Sequence, residues 1–212
     1  MDYETEEQQV EALKNWWAEN GRSVILGVVI GGAAIGGWQW WGSHQVAVAQ
    51  KASDGFAATM NALATEDGDI LSAASAVRAE HGDSLYATLA SLAAARGLVE
   101  KNDLAGAAKE LRWAVDNAGQ TEFKVIASVR LARVLGASED PDGGLALLPD
   151  DAPEPFTAII EEVRGDLYAL KGDTELARKA YQAALDSGQR SPNTAGLNMK
   201  LDDLAVAGED AS

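Results

Sequence analysis

The side chains that most often carry chemistry are scarce in this sequence. Cysteine is absent, and the 212 residues hold two histidines, His44 and His81. Without thiols there is no disulfide, no thiolate metal site and no cysteine nucleophile; a chain without thiols survives in either redox compartment. His81 stands in EHGDS directly before Gly82, the place of a last helical residue whose positive form complements the helix dipole. The 33 acidic residues are plentiful, but they read as cap residues and as solvated polar helix faces. No H-E-x-x-H, G-x-S-x-G or phosphate-binding loop occurs. Nothing here assembles a catalytic site, a metal site or a cofactor site, and the chain reads as a non-enzyme.

What remains is recognition chemistry. Net charge is −16, which repels a phosphate backbone and argues against nucleic acid as a partner. Against that background Arg78, Arg96, Lys109, Arg112, Arg130 and Arg133 are sparse positive points. They are able to grip carboxylates, or to stay solvated or paired locally. Trp113, beside Ala114, is a candidate for the core or for an exposed contact.

The elements that would position these residues begin with an anchor. Positions 23–43 read SVILGVVIGGAAIGGWQWWGS and hold no charge. A helix of this length spans about 30 Å, the thickness of a bilayer's hydrocarbon core. Trp16 and Trp17 precede it, and Trp38, Trp40 and Trp41 close it, as tryptophans do at headgroup depth. The competing reading is a signal peptide cut after Ala47-Val48-Ala49, leaving a secreted binding module; the long acidic leader and the bulky tryptophans fit that poorly. Lys14 and Arg22 before the span outnumber Lys51 just after it, which predicts a cytoplasmic N-terminus and an exported domain. Within the span, Gly27 and Gly31 form one G-x-x-x-G, and Gly32 and Gly36 another. Small residues four apart let two helix backbones approach closely, so these four mark a candidate packing face.

Beyond residue 50 the sequence is rich in alanine and leucine and lacks strand-type alternation, which predicts helices. Four turn-like sites carry an aspartate: Asp69, Asp103, Asp140 and Asp173, spaced by 34, 37 and 33 residues. Aspartate at such a turn suits a helix N-cap. Four residues after each stands a small residue (Ala73, Ala107, Gly144, Ala177), and eight after a larger one (Val77, Leu111, Leu148, Tyr181). Five before stand Ala64, Leu98, Leu135 and Tyr168; eight before, Asn61, Ala95, Ala132 and Gly165. The pattern predicts stacked helical hairpins with Ala177 and its counterparts at the close crossings. Gly143, Gly144 and the nearby prolines weaken the third unit, and Leu197, Leu201 and Leu204 form the stripe of a capping helix.

A period near 34 with these residues resembles the tetratricopeptide repeat, best in the last unit through Gly165, Tyr168, Ala177, Tyr181 and Ala184. The full chain resembles something narrower. The start YETEEQQVEALKNWWAENGRS, the glycine-rich span, WQWWGSHQVAVAQKAS and SLYATLASLAAARGLVEKNDLAGAAKELRWAV are similar to the YfgM family. The resemblance implies a single-pass subunit of the bacterial inner membrane, ancillary to the SecYEG translocon and acting with a PpiD-type periplasmic chaperone. It also implies a contact of the N-terminal tail with an RcsB-type response regulator. The expected organisation is an all-α chain: an acidic cytoplasmic tail at 1–22, a transmembrane helix at 23–43, and a periplasmic tetratricopeptide-like solenoid of about four hairpins at 44–212. A membrane-tethered spacer without chaperone activity is the alternative.

Overall fold

The computed structural model describes residues 3–65, 68–187 and 194–209. Among these the regular structure is helical, without strands. Two units divide the chain, 1–50 and 51–212.

The first unit lies in α1, which runs Tyr3–Ala64. Among the described residues α1 is the one helix long and apolar enough to cross a membrane. The stretch predicted to span the bilayer presents its apolar side chains outward: Ile25, Leu26, Val28, Val29, Ile30 and Ile35 are all exposed, as are the flanking tryptophans. A water-soluble helix of this composition would bury a face, because a large exposed apolar patch marks a binding or membrane surface.

In the second unit the end of α1 begins a series of hairpins. It is followed by α2 (Ile70–His81), α3 (Leu85–Glu100), α4 (Leu104–Asn117), α5 (Thr121–Ala137), the short α6 (Pro141–Leu145), a 3-10 turn at Glu154–Phe156, α7 (Thr157–Lys171), α8 (Thr174–Asp186) and α9 (Thr194–Glu209). Three hairpin turns share one geometry. Asn102, Glu139 and Gly172 take a left-handed backbone conformation. The next residue, Asp103, Asp140 or Asp173, donates its backbone N–H to Leu98, Leu135 or Tyr168. That bond closes the preceding helix in the manner of a Schellman motif, and it fixes the five-residue offset between each of these aspartates and the end of the helix before it. Asp103 and Asp140 then cap the following helix, their carboxylates accepting from the backbone N–H of Gly106 and Gly143 at 2.9 Å each. Asp69 does the same for Ser72 at 3.0 Å. Asp173 holds the cap position but its side chain accepts no cap bond; it lies 3.7 Å from Lys171 Nζ instead.

Most predicted core positions follow; Ala73 is only half-buried, and Ala74 beside it is buried instead. Val77, Leu111, Leu148 and Tyr181 are buried, as are Ala107, Gly144 and Ala177 at the crossings. A Cβ on Gly144 would lie 2.8 Å from the Ala132 carbonyl oxygen, and one on Gly165 would collide with the Tyr181 ring. α6 ends after five residues, as its glycines and the prolines beyond it require.

The first hairpin departs from the expected register. Asn61 and Ala64 are exposed, while Thr59 is fully buried and Ala62 and Leu63 pack against the cluster of Ile70, Ala74 and Val77. The reason is the connection. Four residues, 65–68, separate the end of α1 from Asp69, whereas two separate α3 from Asp103 and α5 from Asp140. Counting back from the cap therefore falls two residues short, at 64 and 61 instead of 62 and 59. At the far end, α9 lays Leu197, Leu201 and Leu204 on Ala177, Tyr181 and Ala184, so the last hairpin's apolar face is covered.

Candidate functional site

Two grooves of the repeat unit bring the scattered cations together. The first lies where α3 and α5, the leading helices of consecutive hairpins, meet over α4. Its floor is apolar (Leu92, Ala95, Val99, Leu111 and Val134), its rim carries Arg96 and Glu100 on α3 and Arg130 and Arg133 on α5, and its volume is about 350 Å³. Val99 stays 43% exposed, so the floor opens to solvent. Arg96 is occupied by Glu100 at 2.8 Å. Arg130 is pushed below the ordinary arginine range, first by partial burial of its side chain, then by the like charges of Arg133 and Arg96. A guanidinium in that setting gains from any carboxylate brought to it.

The second groove runs along α4. Arg78, Lys109, Glu110, Arg112, Trp113 and Asp116 contribute to its lining, and its volume is about 560 Å³. Arg78 reaches from α2 to pair with the buried Glu110 carboxylate, also donates to Ser91 Oγ at 3.3 Å, and sits 5.3 Å from the centre of the Trp113 ring. Trp113 is half-buried: part of its ring packs on the cluster of α2 and α3 residues, and part borders the groove. Core packing and surface contact thus share one side chain.

A third polar cluster fastens the cap. Lys200 in α9 donates to Glu162 at 2.9 Å and to Asp166 at 2.6 Å, and the Tyr181 hydroxyl donates to Asp166 at 2.8 Å. Burial alone would lower the Lys200 pKa, but the hydrogen bonds to Asp166 and Glu162 outweigh it and the value is raised. Burial, reinforced by Asp166, pushes the Tyr181 phenol up as well. This is packing chemistry rather than a ligand site, since every cation in it is already paired.

Gly27, Gly31, Gly32 and Gly36 belong to the first unit. An added Cβ at any of them would meet nothing within 4 Å among the described residues. His44 stacks on Trp40 with ring centroids 5.5 Å apart, and His81 is the last residue of α2. Neither histidine lines either groove.

The family model for a tetratricopeptide repeat-like domain matches residues 14–206. The chain is 34% identical to an ancillary SecYEG translocon subunit of Escherichia coli (strain K12), over 96% of this chain and 98% of that protein. It is 27% identical to the ancillary SecYEG translocon subunit of Haemophilus influenzae, over 94% of this chain and 97% of the relative. The corresponding protein of Neisseria gonorrhoeae is 24% identical over 94% of this chain and 97% of its own length. The chain belongs to the YfgM family. No solved structure matches it. Matches of this length join the apolar part of α1 and the repeats in one family unit rather than in a chance fusion.

Sequence reading named all six cations but not their grouping. Arg96 and Arg133 each stand seven residues before a turn aspartate, Asp103 and Asp140, with Arg130 one helical turn before Arg133. That shared register was the available signal for the first groove. The Arg78–Glu110 pair and the bonds of Lys200 to Glu162 and Asp166 had none, because they join residues 32 to 38 positions apart on different helices.

Proposed function

We propose that this chain is a non-enzymatic, single-pass inner-membrane subunit of the bacterial Sec translocon. In this reading residues 1–22 form a cytoplasmic tail, 23–43 cross the bilayer, and 44–212 form a periplasmic repeat domain. The domain assists newly exported proteins together with a PpiD-type periplasmic chaperone, and the acidic tail contacts an RcsB-type response regulator. The observation that carries the association with the translocon is the near full-length relationship to proteins named ancillary SecYEG translocon subunits. The exposed apolar stretch of α1 supports the anchor, and the lysine and arginine bias across it supports the orientation. Open grooves between stacked hairpins support protein binding as the domain's task. Gly27, Gly31, Gly32 and Gly36 are proposed to pack against another helix within the membrane.

Crosslinking in native membranes followed by purification of this chain tests the association. Translocon subunits and a periplasmic peptidyl-prolyl isomerase-like chaperone are the expected neighbours; their absence from the crosslinked material would remove the proposal. Protease added to spheroplasts should digest the repeat domain and spare the tail, and the reverse pattern would invert the topology. Intact mass of the membrane-extracted chain decides retention of the span: a mature start near Gln50 would replace the anchor by a signal peptide.

A further inference from the structure

We infer that the groove between α3 and α5 binds an extended acidic peptide segment, seating an apolar side chain on its floor while Arg130 and Arg133 hold the flanking side-chain carboxylates. The floor of Leu92, Ala95, Val99, Leu111 and Val134 offers apolar contact and no hydrogen-bonding side chain, so it suits an aliphatic side chain. Its volume of about 350 Å³ is at the lower end of what ordinary ligand sites use and suits one or two side chains rather than a folded domain.

The rim sets the charge of the occupant. Arg130 and Arg133 are exposed, and among the described residues neither has a carboxylate partner, although the chain carries 33 acidic residues. Arg78 is paired with Glu110, Arg164 with Asp150 and Glu161, and Arg178 with Glu175; Arg112 on α4 is exposed and, among the described residues, single, whereas Arg130 and Arg133 stand together beside an apolar floor. Two neighbouring guanidiniums left unneutralised beside a third repel one another, and a carboxylate placed among them relieves that repulsion while making bidentate hydrogen bonds. The chain's own net charge of −16 keeps acidic partners away from most of its surface, so this rim is a local exception that also selects orientation. The inference stands apart from the translocon reading, because it concerns what the groove recognises and not where the chain resides.

Fluorescence anisotropy with the full-length chain in detergent tests it. The probes are a short labelled peptide with one leucine flanked by aspartates, its asparagine counterpart, and a version in which the aspartates are lysines. The acidic peptide should bind at least about tenfold more tightly than the asparagine peptide, and the lysine peptide should not bind. Arg130→Gln with Arg133→Gln should weaken the acidic peptide by about tenfold or more, whereas Arg178→Gln on α8 should leave it unchanged. Arg130→Glu with Arg133→Glu should reverse the preference toward the lysine peptide, a gain that a damaged fold cannot produce. Equal binding of acidic and asparagine peptides, or an unchanged affinity in the Gln double variant, would overturn the inference. So would binding of phosphatidylglycerol vesicles that depends on Arg130 and Arg133 while the acidic peptide does not bind, since that would make the rim a lipid contact.

Discussion

Arg78 on α2 pairs with Glu110 on α4, so two consecutive hairpins are joined by an ion pair whose carboxylate side chain is only 4% exposed. The guanidinium also covers the ring of Trp113. Removing one partner leaves the other charge in a poorly solvated place, which in buried pairs costs about 3–5 kcal/mol. Arg78→Met should therefore destabilise the repeat unit by about 3 kcal/mol, the lower end, because Arg78 itself is partly open to water. Arg78→Met combined with Glu110→Leu should recover most of that loss. Urea unfolding of the wild type, both single variants and the double variant gives the coupling; additive losses would mean that the pair contributes nothing of its own.

The turn geometry separates four aspartates that look alike in sequence. Asp103→Ala and Asp140→Ala remove side-chain cap bonds and should each cost about 1 kcal/mol. Asp173→Ala removes none and should stay within about 0.5 kcal/mol. The left-handed residue before Asp140 gives the opposite sign. Glu139 has a φ of 63°, a conformation that costs a residue with a Cβ about 1–2 kcal/mol, so Glu139→Gly should raise the melting temperature. Thermal melts of these four variants rank the effects, and a destabilised Glu139→Gly would show that its side chain matters more than its backbone.

Much of this architecture was legible because the hairpin turn repeats. One aspartate serves as a ruler: the backbone bond to the residue five before, the small residue four after and the buried residue eight after all follow from one closed helix end. The ruler failed where the connection lengthened, at 65–68, and Thr59 took the buried place expected of Asn61. It also could not tell a cap that bonds from one that does not, since Asp103 accepts a cap bond and Asp173 at the same place in the turn accepts none. The grooves were less legible. Their polar groups are supplied by helices of different hairpins, and pairing across hairpins depends on side-chain reach that spacing does not encode.

The crossing in the last hairpin tests the register directly. Ala177 is fully buried, on Tyr181's side of α8, while Lys179 is exposed. Ala177→Leu should overpack the crossing and cost about 1–3 kcal/mol, and Lys179→Ala should stay within about 0.5 kcal/mol. Equal melting temperatures for the two variants would move the crossing elsewhere.

Alkaline pH should loosen the capping helix. The folded pKa of Lys200 lies above its ordinary 10.5, so its contribution is fully present below that value and is lost as pH rises through the folded pKa. Tyr181 also has a raised folded pKa relative to 10.0; the unfolded phenol ionises first, and stability again falls as pH rises above that point. Both signs agree, because Glu162, Asp166 and the Tyr181 ring all face Lys200. Hydrogen exchange of α9 should therefore accelerate above about pH 10, beyond the intrinsic rate, and Lys200→Met should abolish the pH dependence that lysine supplies. Exchange that tracks only the intrinsic rate would assign the cap's hold to Leu197, Leu201 and Leu204 alone.

Glycine substitutions at two places should report on two different partners. At Gly165 the space is taken by Tyr181 of the same hairpin. Gly165→Ala should overpack by about 1–3 kcal/mol, partly offset by about 1 kcal/mol of helix propensity, and lower the melting temperature of the repeat unit. At Gly31 and Gly32 nothing among the described residues occupies the space. Gly31→Leu with Gly32→Leu should leave the repeat unit's melt unchanged, because both positions lie outside that unit. If the four glycines form a packing face, the same variant should reduce crosslinking of α1 to its membrane neighbours, since small residues set how closely two helix backbones approach. Leu26→Ala with Val29→Ala, which removes bulk and leaves every glycine in place, is the control. Crosslinking that survives the double leucine variant but falls in the alanine variant would place the contact on the aliphatic side chains of α1 and leave the glycines without a role in assembly.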